Sequence, residues 1–84
     1  MKFWNGYNVK TLEGRGWSTV QLTSERLARV DLIELDNWLN EDRPGRYFVH
    51  LLSVEDWVGG EIVFKRNYYF ENDKTATLFA LKWA

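Results

Sequence analysis

His50 is the single histidine of the chain. It is the first residue to weigh, because imidazole is the side chain whose unperturbed charge changes near neutral pH. It stands between Val49 and Leu51 in an apolar run. A general base needs a substrate-facing position and usually an orienting carboxylate, and a metal centre needs two or three further ligands at suitable spacing. Neither frame surrounds His50, so a hydrogen-bonded histidine inside a strand is the preferred reading. Cysteine is absent, which removes thiol catalysis, thiolate ligation and disulfide staples together.

The carboxylates come next. Asp31, Glu34, Asp36, Glu41 and Asp42 gather in one stretch and Glu55 with Asp56 in another. Along a solvated helix such groups keep ordinary acidity. To hydrolyse a small substrate, two of Asp31, Glu34, Asp36, Glu55 and Asp56 would have to converge in a cleft. The spacing and central glycine of a calcium loop are missing, and Gly14-Arg15-Gly16 and Gly59-Gly60 are too short to cradle a phosphate. Ser18, Ser24 and Ser53 lack the strand-to-helix elbow of a nucleophilic serine. No catalytic, metal-binding or cofactor-binding set is expected, and the chain reads as a non-enzyme.

What remains is binding chemistry. The run Phe64-Lys65-Arg66-Asn67-Tyr68-Tyr69-Phe70 interleaves basic and aromatic residues, the pairing that single-strand binders use to hold phosphates while stacking bases. With the rings turned inward, the same run is a strand whose basic residues blunt an exposed edge. A net charge of −1 and a pI near 5.8 provide no field to gather a polyanion. Trp 5, Tyr 4 and Phe 5 in 84 residues are more rings than so small a core is expected to enclose, since each buries about 150–250 Å². Exposed Trp and Tyr beside Arg make interface hot spots, because a rigid ring covers much area at little entropic cost. Trp17, Trp57, Arg66, Tyr68 and Tyr69 are therefore the expected binding residues.

The elements that must position them follow from hydrophobic period and caps. Phe3–Leu12 alternates from Tyr7, Gly14 and Gly16 supply a turn, and Trp17–Leu22 alternates again, so a β-hairpin is expected. Thr23-Ser24-Glu25 opens a helix whose stripe is Ala28, Leu32, Leu35 and Leu39, widened by Leu27 and Trp38. Val30 and Ile33 fall off that stripe, which leaves open a strand over 29–35 with helix confined to 36–41. Pro44-Gly45 ends the segment. Tyr47–Leu52 is apolar on both faces and reads as a central strand, 53–60 as a connection, and Glu61–Phe70 as its antiparallel neighbour. Asn72 or Asp73 caps a terminal helix lined by Ala76, Phe79, Ala80 and Trp83; alternation through Thr77, Phe79, Leu81 and Trp83 leaves an edge strand open. The expected fold is one small α+β domain over 1–84, in the order β-β-α-β-β-α. No apolar stretch has the length of a leader core or a membrane span.

Two stretches carry a resemblance. Leu35-Asp36-Asn37-Trp38-Leu39-Asn40-Glu41 resembles a short x-Trp-Leu-x-Glu helix. Tyr69-Phe70-Glu71 followed by Ala76, Phe79, Leu81 and Trp83 resembles the C-terminal ending of small uncharacterised proteins encoded by tailed bacteriophages. Thr75 stands where that group commonly has Asp. The resemblance implies a small α+β domain made in the cytoplasm of a bacterial host, with no catalytic residues to carry over. It implies a binding protein that occupies or inhibits a bacterial host protein. A nucleotide-signal-sequestering or single-stranded nucleic-acid-binding module is the alternative, and a homodimer is open in either case.

Overall fold

The computed structural model describes residues 1–6, 9–56 and 61–84, with the backbone alone for 53–56 and 61–63. Its elements are β1 (Lys2–Phe3), α1 (Val9–Gly14), β2 (Ser18–Thr23), α2 (Ser24–Leu27), α3 (Leu32–Asn40), β3 (Arg46–Asp56), β4 (Glu61–Phe70) and α4 (Asp73–Trp83). The small α+β domain expected from the sequence is present. Its element order is β-α-β-α-α-β-β-α rather than β-β-α-β-β-α.

The largest departure is at the N-terminus. The expected hairpin does not form: β1 pairs in parallel with β3 through Lys2↔Arg46 and Phe3↔Tyr47, while β2 pairs antiparallel with β4. The glycines read as a hairpin turn instead close a helix. Gly16 has φ +74, its N–H donates to Glu13 O at 3.1 Å, and the Trp17 N–H donates to Leu12 O, also at 3.1 Å. This pair of reversed bonds is the Schellman motif, which needs a residue free to adopt positive φ. A helix of six residues is too short to display a 3.6 period, so a period of two was the visible signal.

The expected single helix after Thr23 is two. Asp31 stops it, because its carboxylate accepts from Ile33 N at 3.0 Å and Glu34 N at 3.2 Å and so opens α3 as an N-cap. The break lets Val30 reach the main core while Ile33 stays outside at 75% exposed. Neither the continuous helix nor a strand over 29–35 is present. At the other end the expectation holds: Asn72 accepts from Thr75 N at 3.1 Å and caps α4, with Ala76, Phe79 and Trp83 buried. The edge-strand alternative is thereby closed.

The sheet order is β1-β3-β4-β2, and strand parity separates its faces. On one face Leu22, Tyr68 and Phe70 meet Leu35, Trp38 and Leu39 of α3 and Phe79 and Trp83 of α4. Phe79 is the centre of this core, with ring centroids 4.7 Å from Tyr68, 4.9 Å from Phe70, 5.3 Å from Trp83 and 5.7 Å from Trp38. The opposite face carries a smaller cluster of Leu12, Trp17 and Tyr69, flanked by Trp4, Val9 and Phe48. Arg26 fastens α2 to the end of α4 by donating from Nε to Trp83 O at 2.7 Å.

Candidate functional site

The β3–β4 ladder runs without a bulge from Tyr47↔Phe70 to Asp56↔Glu61. Its covered face carries Tyr47, Val49 and Leu51 on β3 and Phe70, Tyr68, Arg66 and Phe64 on β4, by the alternation of the strands. Helices shield that face at the Phe70 end. Further along, Leu51 is 67% exposed and Phe64 57% exposed.

Two adjoining hollows occupy this uncovered ground. One, of about 350 Å³, is walled by Leu27, Leu51, Leu52, Phe64, Lys65 and Arg66. The other, of about 330 Å³, shares Leu51 and Arg66 and continues past Tyr68, Val49 and Tyr47 to Phe3, with Asp36 and Leu39 of α3 as its far wall. Together they form an apolar trough along the sheet with few polar groups, the general make-up of a recognition site.

Those polar groups are specific. Arg66 is half-buried and donates from its guanidinium to the Tyr68 hydroxyl at 3.4 Å. Among the described residues no carboxylate lies within ion-pair distance of it. At the Phe3 end, burial pushes the Tyr47 phenol above its usual acidity range, and the Asp36 carboxylate pushes it the same way. Tyr47 therefore faces the trough as a neutral hydroxyl.

The residues expected to bind from sequence are placed differently from one another. Trp17 is not exposed but 8% accessible in the smaller cluster, and Tyr68 and Tyr69 are 1% and 3% accessible in the two cores. The small domain encloses these rings by using both sheet faces, each with its own cluster. Arg66 does line the trough, and Tyr68 contributes its floor. Trp57 lies outside the described residues. Among the described residues the exposed rings are Phe3 and Phe64. Leu51 and Phe64 were legible in principle, since they share strand parity with Val49 and Tyr68 and simply lie beyond the reach of the helices.

Among the described residues the candidate catalytic groups are dispersed, and the side chains of Glu55 and Asp56 lie outside that description. His50 is paired in register with Asn67, which accepts from Gln21 Nε2 at 2.9 Å on the face opposite the trough. Asp31 caps α3, Glu34 pairs with Lys82 at 3.4 Å and Glu41 with Arg43 at 2.7 Å. Among the described residues no three of His, Asp and Glu gather as a metal-holding group, and no helix is long and apolar enough to cross a membrane.

Comparison of the chain with known protein families, curated proteins and solved structures gives no match. The trough is therefore interpreted from its own chemistry.

Proposed function

We propose that the chain is a non-enzymatic binding protein that holds a partner protein in the trough at the open end of β3 and β4. One observation carries this reading: Leu51 and Phe64 are exposed side by side with Arg66 on a face that is core elsewhere. Contiguous exposed apolar area rimmed by polar groups is the usual mark of an interaction surface. The phage-like ending makes a bacterial host protein the partner to seek, and the host cytoplasm the place. The binding set is Leu51, Phe64 and Arg66, with Tyr68 beneath them, rather than the buried Trp17 and Tyr69.

A photo-crosslinking residue placed at 51 or at 64 in bacterial cells is expected to give one discrete protein adduct. The same residue at the exposed helix positions 33 and 81 is expected to give none. Adducts from the helix positions alone, or from no position, would remove the reading.

Arg66 and Phe64 also support a second reading, a site for a nucleotide signal or a single strand, with the guanidinium on a phosphate and the ring on a base. The burial of Tyr68, Tyr69 and Phe70 leaves Phe64 to stack alone from that run. Fluorescence titration with nucleotides and short oligonucleotides across a salt series tests it, and a response that declines with salt would favour it over the protein partner.

A further inference from the structure

The trough lies beside a second feature, the outer edge of β3, which among the described residues is paired by β1 alone. That edge is paired by β1 over Lys2↔Arg46 and Phe3↔Tyr47, and Trp4 N adds a bond to Tyr47 O at 2.8 Å. Arg46 O accepts instead from Glu71 N on the β4 side at 3.0 Å. Backbone groups alternate along a strand, so Val49 and Leu51 share the direction of Tyr47 and present their N–H and C=O groups away from β4. The ladder continues to Asp56↔Glu61, well past the end of β1.

Resting on the reading of the trough as a partner site, we infer that β3 takes an added strand from that partner. The occupant is an extended, acidic segment that bonds to the backbone of Val49 and Leu51. Apolar side chains on one of its faces would fill the trough, and a carboxylate would meet Arg66. Strand addition at a sheet edge draws affinity from main-chain bonds and specificity from pockets for alternate side chains. Here the edge and the trough are adjacent, because Val49 and Leu51 belong to both. The charge of the occupant follows from Arg66, a half-buried guanidinium without a carboxylate partner among the described residues. The other sheet edge differs. Thr19, Gln21 and Thr23 of β2 are exposed there, and α4 packs over that strand.

The test uses a blocked peptide of alternating valine and threonine with one central glutamate, and a twin carrying glutamine. Titration of the isotope-labelled chain is expected to shift and protect the Val49 and Leu51 amides. The glutamate peptide is expected to bind about fivefold more tightly than its twin, the range of a partly exposed ion pair, and Arg66→Gln to erase the difference. Leu51→Pro removes an N–H that faces away from β4, so it is expected to abolish binding with the β3–β4 ladder intact by amide exchange. Leu51→Ala, which keeps that N–H, is expected to retain measurable binding. Unperturbed amides at millimolar peptide, or full binding by Leu51→Pro, would overturn strand addition. So would a concentration-dependent dimer that already protects the edge in the free protein, since a second copy would then be the occupant. If Leu51→Pro is silent while crosslinking from position 64 persists, the partner site stands and strand addition alone falls.

Discussion

Two stretches of the β3–β4 ladder are built from the same kind of residue on the same face, yet one is interior and the other is surface. At the first, Tyr68 and Phe70 are 1% and 0% accessible beneath α3 and α4. At the second, Leu51 and Phe64 are more than half exposed. The difference lies in length, not in pattern. A strand of eleven residues such as β3 extends about 36 Å, whereas the eleven residues of α4 rise about 16 Å. Alternation decides which face a side chain joins, and the reach of the covering helices decides whether that face is core.

Truncation separates the two stretches most sharply. Phe79→Ala empties the place where four other rings converge and is expected to cost about 3–5 kcal/mol in denaturant unfolding, enough to unfold much of so small a domain. Phe64→Ser and Leu51→Ser are expected to change stability by no more than about 0.5 kcal/mol, as surface substitutions do. The serine variants should nevertheless weaken the crosslinked adduct when the probe occupies the remaining trough position. If Phe64→Ser destabilises the chain as much as Phe79→Ala does, the second stretch is core and the comparison fails.

A smaller effect is expected on the opposite face, where α1 covers the sheet at the same end. Gly16→Ala forces a Cβ into positive φ at the helix exit and is expected to cost about 1–2 kcal/mol. The loss should register in the fluorescence of Trp17, which is packed on Leu12 and Tyr69. The trough residues should keep their amide positions. An unchanged melting temperature would show that the Schellman turn does not hold α1 in place.

What was legible in the sequence follows the same division. β2, β4 and α4 were readable because their caps and periods are long enough to declare themselves: Asn72 before Ala76, Phe79 and Trp83, or the unbroken Glu61–Phe70. The N-terminus was not, because two glycines can close a hairpin or a helix with equal ease, and only the partner of Leu12 and Trp17 decides between them. In sequence Asp31 fits a helix-surface carboxylate as well as a cap, since the same side chain serves both uses, and the structure makes it the cap of α3. Val30 and Ile33 did signal trouble there. Arg66 stands out in one dimension as a charge among rings, and the structure puts it in the trough wall. Phe64 and Leu51 required the lengths of two helices in three.

The smallest predicted effect concerns the ion pair at the covered end, just beyond Phe70. Arg46 donates from Nη2 and Nε to the two Glu71 oxygens at 2.6 and 3.3 Å. The hydrogen bonds from that guanidinium hold the Glu71 carboxyl below its usual range. A carboxyl whose folded pKa is depressed takes up its proton first in the unfolded chain, so its contribution is present above the ordinary carboxylate pKa of about 4.3 and declines as pH falls through the folded value. Melting temperature should therefore decline with acidification below about pH 5, and Glu71→Gln should flatten part of that decline by lowering the neutral-pH value slightly toward the acid one. Both side chains are substantially exposed, so salt should flatten it as well. A Glu71→Gln variant with the full acid dependence of the native chain would show that the pair closes the β3–β4 end in geometry without contributing to its stability.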